Sequence, residues 1–169
     1  MTRQIEGAPY RIVNERILYN DGMMRKIAMD MANISLALQP GDKFLIQSHP
    51  EAFQLQTYLV ALAHEKGVDL RIQSYDPVKK AEELKKLDAN KTYDFSTDVD
   101  IAEFDQAANW AEKVAYLYAY ANPQAFQDVN PAILTAWERT RGKILGMVAN
   151  TKRRVLTHLP TPAEANLEN

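Results

Sequence analysis

His64-Glu65 is the nearest thing in the chain to a catalytic signature. A zinc-protease helix needs two imidazoles one turn apart so that both reach the same metal. The position that would supply the second is Val68, so the motif fails and His64 is expected on the surface near a helix end. The other two histidines, His49 and His158, lie far apart and offer no local ligand spacing. Each falls near the end of an expected strand, where α/β sheets bind ligands. Asp94, Asp98 and Asp100 suggest a calcium loop, but the glycine and glutamate that an EF-hand requires are missing. Solvation and an N-cap at Asp100 account for them.

The absence of cysteine removes disulfides, thiolate ligands and thiol nucleophiles. Neither a GXGXXG nor a GXXXXGK[ST] phosphate loop occurs, and no serine sits in a GXSXG elbow. Tyr116, Tyr118 and Tyr120 alternate along one expected strand and so point to one side. A packed face with hydroxyls at the rim is the favoured reading, because buried tyrosines commonly pack their rings while the hydroxyl finds a partner. One wall of a binding cleft is the alternative.

These residues need a scaffold, and hydrophobic periodicity supplies one. From Asp21, Met24, Ile27, Met31, Ile34 and Leu38 recur at three- and four-residue spacing, one face of a helix that Pro40-Gly41 stops. KFLIQS (43–48) reads as a buried strand. Ser48 with Glu51 has capping-box spacing for a second helix, whose stripe is Ala52, Leu55, Leu59 and Leu62 and whose end is Gly67. DLRIQSY (69–75) is a second strand, completing a βαβ unit. Asp76-Pro77 caps a short helix carrying Val78, Ala81, Leu84 and Leu87. After a polar loop at 88–99, Asp100 opens a helix that turns Ile101, Phe104, Ala108 and Ala111 one way. VAYLYAYA (114–121) lacks polar alternation and fits a strand covered on both faces. Asn130-Pro131 starts a long helix with Ile133, Trp137, Ile144 and Val148 inward, and RRVLTHL (153–159) is the fourth strand. The tail from Pro160 is too short and polar for another element. The fold expected is α/β, a mostly parallel sheet of about four strands with helices packed against it.

A net charge of −2 gives no electrostatic reason to expect nucleic acid or an anionic membrane. Lys152-Arg153-Arg154 reads as the solvated end of a helix. No apolar run reaches the ~20 residues of a membrane span, and MTRQIEGAPY lacks a signal-peptide core. A cytoplasmic location is expected.

Four segments in order then resemble a known family: LALQPGDKFLIQS (36–48), AHEKGVDLRIQSYD (63–76), NPQAFQDVNPAILTAWERTRGKIL (122–145) and LPTPAEA (159–165). They are similar to the N-terminal domain of the thermophilic-type metallo-aminopeptidases, the aminopeptidase S and aminopeptidase T group. The carrying motifs are Leu38-Gln39-Pro40-Gly41, Ser74-Tyr75-Asp76, Asn122-Pro123 with Phe126, Val129-Asn130-Pro131, and Pro160-Thr161-Pro162-Ala163. The chain departs from the family pattern in its longer start and in Arg153-Arg154, where tryptophan is common. On this resemblance, residues 1–20 are an N-terminal extension of uncertain structure, 21–165 a single α/β domain, and 166–169 a tail.

The resemblance implies a non-metal-binding domain of an enzyme that removes N-terminal residues from peptides. The implied paired divalent ions (zinc, cobalt, manganese or magnesium) belong to a C-terminal domain outside this chain, and this chain binds none and is inactive alone. Its implied partners are that domain, a peptide substrate and, as one option, a second copy in a homodimer. His49, Tyr75, Tyr120 and His158 are the substrate-cleft candidates. A free-standing α/β peptide-binding or interaction module without catalysis is the alternative.

Overall fold

The computed structural model describes residues 2–4, 8–13 and 16–165. The tail assigned to 166–169 lies outside them. The region expected as an uncertain extension contributes three short antiparallel strands: β1 (Thr2–Gln4), β2 (Tyr10–Val13) and β3 (Arg16–Tyr19). Helix α1 (Asp21–Asp30) follows, its N-cap Asn20 accepting the Met23 N–H. It passes into a π-helical turn, Met31–Ser35. That wider turn breaks the 3.6-residue spacing. Ile34, expected in the core, is therefore 69% exposed, and Leu36 is buried in its place.

The main sheet is parallel and four-stranded, in the order β5-β4-β6-β7. Its strands are β4 (Lys43–Ser48), β5 (Asp69–Ser74), β6 (Lys113–Tyr118) and β7 (Arg153–His158). The central pair, β4 and β6, is apolar and buried because helices cover both of its faces. On one side Phe44, Ile46, Ala115 and Leu117 pack with residues of α1 and of α2 (Phe53–Glu65). On the other, Leu45, Val114 and Tyr116 pack with residues of α3 (Pro77–Lys85), α4 (Val99–Trp110) and α5 (Pro131–Thr151). The expected inward stripe of α5 (Ile133, Trp137, Ile144, Val148) is buried throughout.

Several local readings change. Ser48 and Glu51 do not form a capping box. A 3-10 turn, Pro50–Ala52, precedes α2, and the Ser48 hydroxyl donates to the His49 carbonyl instead. The N-cap of α4 is Asp98, not Asp100: its carboxylate accepts the Ile101 N–H at 3.2 Å. β6 ends at Tyr118, short of the expected 121. The segment after β7 does form an element, the single turn α6 (Pro162–Ala165). Other signals act as read. Asp76 caps α3 and Asn130 caps α5, each followed by proline in the first turn. Gly67 closes α2 with φ +67°, a conformation in which any Cβ would be strained.

Candidate functional site

The chain runs from β4 through α2 to β5, then crosses back past β4 to β6. Sheet order therefore reverses between β4 and β6. In open α/β sheets the crevice at the carboxyl ends of such a strand pair is where ligands bind. Here the first residue beyond β4 is His49 and the first beyond β6 is Ala119.

Backbone bonds hold His49 at that point. Its N–H donates to the Leu117 carbonyl at 2.9 Å. Its ring Nδ1 lies 3.2 Å from the Ala119 carbonyl oxygen and 3.3 Å from the Ala119 nitrogen. Either tautomer thus finds a backbone partner. The residue is 2% exposed. Burial pushes its pKa down to about 4, against a smaller upward pull from the Ala119 backbone, and the Arg141 cation pushes the same way as burial. At neutral pH the ring is uncharged, so it can pack or exchange a hydrogen bond but cannot neutralise an anion.

Around this ring the alternating tyrosines and their neighbours converge. Ring centroids lie 4.8 Å from His49 for Tyr118, 4.8 Å for Tyr120 and 5.6 Å for Tyr75. Tyr75 is the residue after β5, and its N–H donates to the Ser48 carbonyl at 2.9 Å. Its phenol is pushed above its ordinary pKa by burial, opposed by the Arg141 and Lys80 cations. Tyr116 is the buried, packed member of the row, and its hydroxyl has no hydrogen-bond partner among the described residues. The row thus divides: Tyr116 packs against Phe104, while Tyr118 and Tyr120 line an open pocket.

That pocket has a volume of about 400 Å³. His49, Tyr75, Tyr118 and Tyr120 line it together with Phe126, Trp137, Glu138 and Arg141. Trp137 and Arg141 are one helical turn apart on α5, so both reach the same side. The Arg141 guanidinium lies 4.8 Å from the Tyr75 centroid and 5.8 Å from that of Trp137. The sequence identified Trp137 only as core and gave no sign of Arg141, since one arginine on a long helix is ordinary. A larger hollow, about 700 Å³, is lined by β2, β3 and the start of α1 and gathers none of the strand-end residues.

His158 stands at the edge. Its ring is 5.5 Å from Tyr120, but its side chain is half exposed and does not line the pocket. Glu164 accepts from His158 Nε2 at 2.6 Å and from the Thr161 N–H at 2.9 Å. The Thr161 hydroxyl in turn donates to the Tyr120 carbonyl at 2.7 Å. Thr161-Pro162-Ala163-Glu164 is thus a capping box around α6, and it ties the Pro-Thr-Pro-Ala turn to the site. Its Thr-X-X-Glu spacing and first-turn proline were a readable signal.

The described residues do not fit a metal centre. No group of three or more histidines and carboxylates could hold an ion among the described residues. His158 and Glu164 are only a pair. The densest set of carboxylates (Glu83, Asp98 and Asp100) already surrounds the Lys80 ammonium at 2.8, 3.2 and 2.5 Å. Among the described residues, no helix is long and apolar enough to cross a membrane.

Comparison with known proteins bears on this arrangement. The sequence profile described as thermophilic metalloprotease (M29) matches residues 20–167. Wild-type AmpT from Thermus thermophilus has a similar fold, with a TM-score of 0.59 at 16% sequence identity. That match covers 81% of this chain and 35% of the AmpT chain, so the present chain spans about a third of its length. No curated protein matches.

Proposed function

The chain belongs to the thermophilic metalloprotease family (M29), and on that footing we propose that it is the non-metal-binding domain of a metal-dependent aminopeptidase. In this reading it forms one wall of the chamber that receives the N-terminal part of a peptide. The observation that carries it is the convergence of His49, Tyr75 and Tyr120 on one pocket at the point where sheet order reverses. The match to only part of the AmpT chain supports a parent protein longer than this chain. No catalytic step is assigned to this chain's own residues. The uncharged His49 and the tyrosine rings position a peptide and shield it from water. His158, clamped by Glu164, borders the mouth. A homodimer contact and a cytoplasmic setting belong to the same reading.

The test is direct. The purified 169-residue chain, incubated with aminoacyl substrates and added Zn²⁺, Co²⁺ or Mn²⁺, is expected to show no peptidase turnover. Metal-dependent turnover that a chelator abolishes would overturn the proposal.

A further inference from the structure

Among the described residues, Arg141 is a cation without a counter-ion. Its guanidinium is half-buried against aromatic rings, and one terminal nitrogen donates to Gln47 Oε1 at a long 3.4 Å. Among the described residues, no carboxylate lies within ion-pair distance of it. A guanidinium has five N–H donors in a planar fork that matches a carboxylate. The Arg141 guanidinium lies over the Tyr75 ring at 4.8 Å and near the Trp137 ring at 5.8 Å, contacts that leave most of those donors unused among the described residues. The surrounding walls are aromatic, and the neutral His49 brings no competing charge. Glu138, one turn earlier on α5, is exposed, lines the same pocket and does not pair with Arg141. Its charge disfavours a ligand carrying a second negative group.

We propose that Arg141 anchors a carboxylate in this pocket, and that the ligand is a small monocarboxylate with a planar aromatic body, such as the carboxyl end of a short peptide ending in an aromatic residue. The carboxylate pairs with the guanidinium fork. The ring packs against Tyr118, Tyr120 and Phe126, where offset or edge contacts between rings are favourable. A volume of about 400 Å³ lies in the range of small-ligand pockets. The inference rests on the cleft-wall reading only for the place of the site. It is tested by binding without turnover, so either can fail while the other stands.

The experiment titrates the 169-residue chain with 3-phenylpropionate and with phenethylamine by calorimetry. Saturable one-to-one binding of 3-phenylpropionate is expected, with phenethylamine at least ~10-fold weaker, because a hydrogen bond to a charged group is lost. Arg141→Met should weaken 3-phenylpropionate by a similar factor, and Arg141→Lys by less. Circular dichroism verifies that the variants are folded. The comparison of the two ligands needs no variant at all. Failure of the unaltered chain to bind 3-phenylpropionate, equal affinity for the amine, or undiminished binding by folded Arg141→Met overturns the proposal.

Discussion

Near Tyr75 lie two cations that the fold treats in opposite ways. One is Lys80, with a side chain 5% exposed and three carboxylates at 2.8, 3.2 and 2.5 Å. The other is Arg141, half-buried against aromatic faces, with no carboxylate partner among the described residues. Burial draws the Lys80 pKa downward, but bonds to Asp100, Glu83 and Asp98 outweigh it and hold the ammonium above its ordinary range. Removing an ammonium from water costs several kcal/mol, so Lys80 can be buried only because those groups surround it. It ties α3 to the loop and cap that start α4. Arg141 costs less to leave unpaired, since guanidinium is weakly hydrated and stacks on rings. A saturated cation serves the scaffold, whereas an unsaturated one beside a pocket is free to meet a ligand.

Four measurements test that contrast. Replacing Lys80 with Met should cost about 2–3 kcal/mol in urea unfolding, less than the ~3–5 kcal/mol of a fully buried broken pair because Glu83 and Asp100 stay near water. A cost below ~0.5 kcal/mol, the range of ordinary surface substitutions, would mean that Lys80 is not the hub described. Asp98→Ala removes both a helix cap and a Lys80 partner, and should cost about 1–2 kcal/mol. Asp98→Asn keeps the cap and loses the charge, so it should cost less; equal costs would leave the cap no share, and a cost-free Asp98→Asn would leave the ion pair none.

His49 gives the pH dependence. Its folded pKa, about 4, lies below the ordinary value of 6.5, so the unfolded chain binds the proton more readily. Stability should be unaffected above about pH 6.5 and fall as pH drops toward 4, by about 1–2 kcal/mol after discounting for water in the pocket. Thermal melts of His49→Gln should lose that part of the slope, and an unchanged slope would assign it to other groups. The smallest effect belongs to Arg141→Met, within about 0.5 kcal/mol of the unaltered chain. A loss as large as that of Lys80→Met would end the contrast, because Arg141 would then be structural as well.

Elements whose signals are local were legible. The four parallel strands and the α5 stripe follow from runs of apolar residues and from Asn130-Pro131. Misreadings arose where two local signals competed. Asp98 and Asp100 both precede a helical run, and Asp98 takes the cap, leaving the Asp100 carboxylate to Lys80. Ser48 has the spacing of a cap, but its backbone still belongs to β4, where strand pairing holds it extended. Ile34 fits a 3.6-residue stripe that the π-helical turn interrupts. For the site, strand-end position picked out His49, Tyr75, Tyr120 and His158. The first three share a pocket and the fourth sits beside it.

By itself the sequence determined the alternation of strands and helices, their buried faces and the family to which the chain belongs. These depend on residue type and short-range spacing, which a linear pattern records. It took the folded chain to reverse sheet order between β4 and β6, to bury His49 among Tyr75, Tyr118 and Tyr120, and to bring Arg141 to Tyr75. Charge balance in a pocket depends on which side chains come within a few ångströms after the chain has crossed the sheet. Lys80 and Arg141 are both ordinary cations on helices in the sequence, and the fold alone gives one three carboxylate partners and the other none among the described residues.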